Sequence, residues 1–194
     1  LPVIAVLENI RSAYNVGSVF RTADAFLLAS IYLCGYTAFP PHKEIKKTAL
    51  GAEDSVAWKH FRNIEEAIAE IRSLGYKVYA VEQAVDSWKL GSFAVEDDKV
   101  AVVFGNEVTG VEQSTIALCD GVIEIPQLGM KHSLNVATAA GVVLWGLIRE
   151  RMKAEWDGFL PLWNPVKKSR RSNRCVARKQ PLIGEWTQKN FVVF

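Results

Sequence analysis

Cysteine, histidine and methionine are scarce in this chain of 194 residues, which carries three, three and two of them. Cys34, Cys119 and Cys175 are odd in number and show no CxxC spacing. That excludes a disulfide framework and points to a reducing compartment, the cytoplasm. His42, His60 and His132 lie too far apart for a metal-ligand pattern, so no metal site is expected. No apolar run is long enough to span a bilayer; the one that follows Ser133 is broken by Arg149, Glu150, Arg151 and Lys153. No signal-peptide pattern is expected at the start. Neither GxGxxG, GxxxxGK[ST] nor GxSxG occurs at a strand end, which removes the usual signals for dinucleotide, P-loop and α/β-hydrolase sites. His132 beside Ser133 does not supply a triad, because adjacent side chains rarely face each other and no nucleophile elbow surrounds them.

What remains is an ordinary globular composition, 49% hydrophobic and 23% charged, long enough for one sizeable core. The net charge of +2 conceals a polarity. Lys167, Lys168, Arg170, Arg171, Arg174, Arg178 and Lys179 form a run without an acid, and outside it 16 basic residues face 21 acidic ones. A mildly acidic body with a basic tail suits contact with nucleic acid, although a solvated charge run has the same composition.

Apolar periodicity divides the chain into alternating elements. "LPVIAVL" (1–7), "SIYLCG" (30–35), "YKVYAV" (76–81), "VAVVFG" (100–105) and "GVIEIP" (121–126) read as strands. Val16, Val19, Phe20, Ala23 and Leu27 recur at helical spacing, with Asn15 as the expected N-cap. "NIEEAIAEIRSLG" (63–75) has Asn63 as cap, Glu66 three residues on and Gly75 past the end. A short helix is expected over 111–119 and the longest from Ser133, as its cap, to about Met152; residues 36 to 52 read as a long surface loop. The pattern predicts an α/β fold, a mainly parallel sheet with helices on both faces. Ligands in such sheets bind beyond the carboxyl ends of the strands, where Glu8, Asn9, Gly105 to Glu107 and Pro126 to Asn135 fall.

Three segments stand out together: "NIRSAYNVGSVFRTADAF" (9–26), "VVFGNEVTGV" (102–111) and "IEIPQLGMKHSLNVATAAGVVLW" (123–145). In order and spacing they resemble the three motifs of the SpoU/TrmH family of RNA 2′-O-ribose methyltransferases, within the SPOUT class. The resemblance covers residues 3 to 152 and leaves 153–194 as a basic, aromatic extension. It implies a methyltransferase domain over 1–152 whose C-terminal part threads a trefoil knot, S-adenosylmethionine as cofactor, and a homodimer with shared active sites. Pattern rules alone would not predict a knot. Carried over by position, it implies that Arg21, Asn15, Glu107, Ser133 and Asn135 are catalytic. It further implies that Gly105, Asn106, Ile125, Gln127, Met130, Ser133 and Leu134 hold the cofactor. Val108 departs from the family pattern, which has glycine there in many relatives.

The chemistry agrees with these residue types. A ribose 2′-hydroxyl must be aligned with an electrophilic methyl group while alkoxide charge develops. Arg21 is expected to clamp phosphate and stabilise that charge rather than act as a base, since guanidinium does not deprotonate in proteins. Taken singly, Arg21 reads as a surface ion-pair residue, Asn15 as a cap and Glu107 as a turn acid. RNA is the expected partner, bound by Arg21 and by Lys167, Lys168, Arg170, Arg171 and Arg174. A D-loop guanosine of tRNA is favoured over ribosomal RNA. A catalytically silent RNA-binding dimer and a dehydrogenase are the readings of other classes.

Overall fold

The computed structural model describes residues 1–92, 99–130 and 133–159, with residues 150–159 as helical backbone only. Seven parallel strands form one sheet in the order β3-β2-β1-β6-β4-β7-β5. They are β1 (Val3–Glu8), β2 (Ser30–Cys34), β3 (Trp58–Phe61), β4 (Lys77–Val81), β5 (Trp88–Lys89), β6 (Val100–Phe104) and β7 (Gly121–Glu124). The helices are α1 (Ala13–Ala25), α2 (Lys43–Ala49), α3 (Ala52–Ser55), α4 (Ile64–Ser73), α5 (Gln113–Leu118) and α6 (Val136–Phe159). Every residue of β1 and β6 is buried, which is why both read as near-continuous apolar runs: the sheet is covered on its two faces.

Side chains alternate between those faces. Val3, Ala5 and Leu7 join α1 and α6 in one core, while Ile4 and Val6 join Tyr32, Cys34 and the apolar face of α4 in the other. α4 begins as its sequence predicts. Asn63 accepts from Glu66 N at 3.0 Å and donates to the Glu66 carboxylate at 3.0 Å, a reciprocal cap.

Several expectations need correction. The cap of α1 is Ser12, not Asn15: Ser12 Oγ accepts from Asn15 N at 3.4 Å, and the Asn15 side chain is held elsewhere. The cap of α6 is Asn135, not Ser133: its Oδ1 accepts from Ala137 N at 2.9 Å and Thr138 N at 3.3 Å. α6 runs to Phe159, past the expected end near Met152. The stretch 36–52 is not all loop. Lysines dominate α2, but Ile45 and Ala49, four residues apart, are buried on its inner side, and His42 Nδ1 caps it through Glu44 N. Among the described residues no helix is long and apolar enough to cross a membrane.

The connection after β1 leads to α1 on one face of the sheet, and the connection after β6 leads to α5 on the other. β1 and β6 are neighbours in register, Leu7 opposite Phe104. The two chains therefore part in opposite directions above their carboxyl ends, which opens a crevice there.

Candidate active site

At the end of β6 the chain reverses over Asn106–Gly110, closed by Asn106 N to the Gly110 carbonyl at 3.0 Å and Gly110 N to the Asn106 carbonyl at 2.9 Å. Asn106 is buried and fully engaged. Its Oδ1 accepts from Val108 N at 2.8 Å and Thr109 N at 3.1 Å, and its Nδ2 donates to the Asn9 carbonyl at 2.8 Å and Tyr36 Oη at 2.6 Å. One carboxamide thus ties together the ends of β1, β2 and β6. Gly105 must be glycine, because a Cβ there would collide with the Gly110 carbonyl. The left-handed residue of the turn is Gly110, at φ +72°, whereas Val108 has no positive φ and stands 72% exposed. Valine in place of the usual glycine is accommodated for that reason.

The turn presents Glu107 to the start of α1. Glu107 accepts from Arg11 N at 2.8 Å, Ser12 N at 3.1 Å and Asn15 Nδ2 at 2.9 Å. Burial pushes its pKa up, but hydrogen bonds led by those from Arg11 N and Asn15 outweigh it and hold the carboxyl below its ordinary value. An ionised carboxylate only accepts, so it fixes the Asn15 amide with nitrogen toward Glu107 and oxygen outward. That oxygen accepts from Asn135 Nδ2 at 3.1 Å. Asn135 in turn accepts the backbone donors of α6. Glu107, Asn15, Asn135 and the α6 N-terminus form one directed chain of hydrogen bonds across three segments of sequence.

Beside this chain lies a cavity of about 760 Å³ above the carboxyl ends of β4, β6 and β7. Of the residues expected to hold a cofactor, it is lined by Gly105, Asn106, Ile125, Gln127, Ser133 and Leu134. Met130 is 93% exposed and does not line it. Glu107 and Ser133 join the rim, but Asn15, Asn135 and Arg21 do not. Arg21 is exposed on α1, six residues after Asn15, which on an α-helix means about 9 Å along the axis and roughly 120° around it. Among the described residues its guanidinium has no ion pair or hydrogen-bond partner. Lys167, Lys168, Arg170, Arg171 and Arg174 lie outside the described residues.

Glu82 escaped sequence reasoning. It follows β4, lines the cavity, and accepts from Val111 N at 3.1 Å and Gln83 N at 2.8 Å. The available signal was an acid immediately after a buried strand on the same sheet edge, which spacing alone does not separate from a surface residue.

The cavity suits a cofactor of the S-adenosylmethionine type. Ile125, Leu134, Val111 and Val136 supply apolar wall for a flat ring, and Glu82 and Glu107 place carboxylates at the cavity, where a cationic group is favoured.

The chain resembles known proteins in sequence and in fold. A Thermus thermophilus tRNA (guanosine(18)-2'-O)-methyltransferase is 34% identical over 150 residues, covering 77% of this chain and 75% of that protein. A 23S rRNA (guanosine-2'-O-)-methyltransferase RlmB from Blochmanniella floridana is 28% identical over 151 residues, 78% of this chain and 59% of its own. The crystal structure of an AdoMet-bound rRNA methyltransferase from Sinorhizobium meliloti superposes with a TM-score of 0.72 at 28% identity, over 76% of this chain and 56% of that one. Residues 2–145, which contain the whole hydrogen-bonded chain from Asn15 to Asn135 and the cavity beside it, match the SpoU rRNA Methylase family model, and the protein belongs to that family.

Proposed function

We propose that this protein transfers the methyl group of S-adenosylmethionine to a ribose 2′-hydroxyl of RNA, with tRNA guanosine favoured over ribosomal RNA. The observation that carries the reading is the hydrogen-bonded chain Glu107–Asn15–Asn135 at the edge of the cavity. The tRNA preference is supported by the T. thermophilus relative, which aligns over three quarters of both chains.

When bound, the cofactor supplies an electrophilic methyl on a sulfonium and departs as a neutral thioether. The chain's own residues do the positioning. Glu107 is a poor base, because its carboxylate already accepts three N–H donors and its pKa is held down. Its work is to orient Asn15, and through it Asn135. Ser133 and Leu134 border the cavity, and Gln127 and Ile125 line its wall. Arg21 clamps RNA phosphate and stabilises the alkoxide as the new C–O bond forms and the hydroxyl proton passes to solvent or a substrate phosphate.

Arg21 stands away from Asn15 on its own helix, so the reading assigns it to the site of a second copy, in a homodimer with shared active sites. Half-exposed Trp145, whose ring packs against Phe26, and exposed Val142 on the same helix support an apolar contact between copies. The same reading includes a C-terminal trefoil knot, a methyltransferase domain over 1–152, an extension over 153–194 whose Lys167, Lys168, Arg170, Arg171 and Arg174 contact RNA, and a cytoplasmic setting.

Calorimetric titration tests the cofactor assignment first. The protein binds S-adenosylmethionine and not NAD, and it methylates a tRNA transcript faster than a ribosomal RNA fragment. NAD binding, or preference for the ribosomal fragment, contradicts the corresponding part.

A further inference from the structure

The carboxyl edge of the sheet continues beyond the site as a row of exposed rings. Tyr36, two residues past β2, is 63% exposed although its hydroxyl oxygen accepts from Asn106 Nδ2 at 2.6 Å. Its backbone N–H donates to Asn9 Oδ1 at 3.3 Å. Phe39 is 44% exposed and packs against the exposed His60 ring at 4.3 Å between centroids, with Trp58 behind it at 6.2 Å. The His60 imidazole is steadied by Nε2, which donates to the Gly35 carbonyl at 3.2 Å. The rings run from the residue that precedes Glu107 to the edge strand β3 and are held in place before any partner arrives.

Cations flank the row. Lys43 and Lys46 line a hollow of about 280 Å³ with Pro40, Pro41 and His42, and Arg62 directly follows β3. Among the described residues these three have no ion pair, whereas Lys59 is paired with Glu70 and Lys47 lies over Tyr14. The two acids of the hollow are Glu53, which accepts from Gly51 N, and the exposed Asp54.

We propose that Tyr36, Phe39 and His60 form a stacking platform for RNA bases adjacent to the ribose that is methylated, with Lys43, Lys46 and Arg62 meeting the flanking phosphates. Flat exposed rings beside unpaired cations match unstacked nucleotides, which offer a π-face and a phosphate in alternation. The preorganised rings keep the ordering cost of such binding small. The platform lies on the described domain, apart from the basic extension, and rests on the methyl-transfer reading for the purpose of the bound RNA.

Fluorescence anisotropy with a labelled tRNA transcript tests it, using the full chain and the variants Phe39→Ala, Phe39→Trp, Arg62→Glu and Lys43→Glu. Phe39→Ala weakens RNA binding roughly tenfold, the size of one base–aromatic stack, and Phe39→Trp keeps wild-type affinity. Arg62→Glu weakens binding and lowers the slope of log affinity against log salt by about one. S-adenosylmethionine affinity, measured by calorimetry, is unchanged in all four. Unchanged RNA affinity in Phe39→Ala and Arg62→Glu overturns the platform. Should Phe39→Ala lose melting temperature, the exposed Arg62→Glu and Lys43→Glu variants decide, and wild-type RNA affinity in both overturns it. A wild-type chain that binds the transcript without methylating any RNA contradicts the methyl-transfer reading alone; one that binds no RNA contradicts both.

Discussion

Asn135 donates its carboxamide nitrogen to the carboxamide oxygen of Asn15, 120 residues away, at 3.1 Å, while its own oxygen caps α6. A single side chain therefore begins a helix and closes the polar chain that starts at Glu107. The cap sets the direction of the relay, because an oxygen turned to the helix leaves the amide nitrogen facing Asn15.

Asn135→Asp separates the two roles. Aspartate caps as well as asparagine, so unfolding free energy stays within about 0.5 kcal/mol of wild type, while Asn135→Ala loses about 1 kcal/mol. The Asp variant cannot donate to Asn15, and its kcat falls by about ten- to a hundredfold. Equal turnover in Asn135→Asp and wild type, from single-turnover kinetics beside urea melts, rules the relay out.

Glu107 bears on pH. Its folded-state pKa is lowered, so its contribution is complete above the unfolded value and disappears as pH falls through the folded value, below 4.5. Turnover accordingly shows no Glu107 limb between pH 5 and pH 8. Glu107→Gln faces the N–H donors of Arg11, Ser12 and Asn15 with one oxygen and an NH2 group; it costs about 1 kcal/mol for each lost hydrogen bond and a larger share of kcat. A pH–rate profile with a Glu107-dependent inflection near neutrality contradicts this placement.

Arg21 tests the shared site. Arg21→Lys keeps the charge but loses the planar fork, and kcat is expected to drop about tenfold or more. Arg21→Ala and Asn135→Asp subunits, each alone at about a tenth of wild-type turnover or less, reach about a quarter of it when refolded together one to one, if each site takes Arg21 from one copy and Asn135 from the other. No recovery, with mixed dimers demonstrated by native mass spectrometry, places both residues in the site of one subunit.

Glu8 gives a stability signature unrelated to the reaction. It is 4% exposed at the end of β1, with Oε1 accepting from Thr115 Oγ at 2.7 Å and Oε2 without a hydrogen-bond partner. Burial raises its pKa, so the unfolded chain releases this proton first; stability falls as pH rises from about 4.5 through the folded value and stays lower above it. Glu8→Gln keeps the Thr115 bond and removes the charge, which stabilises the fold by about 1–3 kcal/mol at pH 8. Its advantage shrinks toward pH 4. Denaturant melts at the two pH values check the sign, and a variant less stable at pH 8 refutes it.

The two buried central strands, the reciprocal cap at Asn63 and the clustering of polar residues at strand ends were legible because each follows from a local periodicity or a pair of residues three apart. The caps of α1 and α6 were not. Ser12 and Asn15, like Ser133 and Asn135, are all competent capping residues; at α1 the remote Glu107 holds the Asn15 side chain and leaves the cap to Ser12, and at α6 Asn135 caps the helix while donating to Asn15. α2 was hidden by its lysines, since two buried side chains over seven residues leave little periodic signal, and Ile45 shows its role only against α1. β3 and β5 are short edge strands, defined by the neighbours they pair with rather than by composition. Glu82 was invisible for the same reason: its carboxylate acquires a function from Val111, 29 residues on.

The measurement closest to the central claim is the position of the transferred methyl group. Protein incubated with radiolabelled S-adenosylmethionine and total RNA is expected to yield a single labelled, alkali-resistant dinucleotide, because a 2′-O-methyl group blocks hydrolysis of the adjoining phosphodiester, and the initial rate of labelling should fall about tenfold or more with Asn135→Asp. Label on a base in alkali-sensitive RNA, or no label on any RNA, contradicts the account.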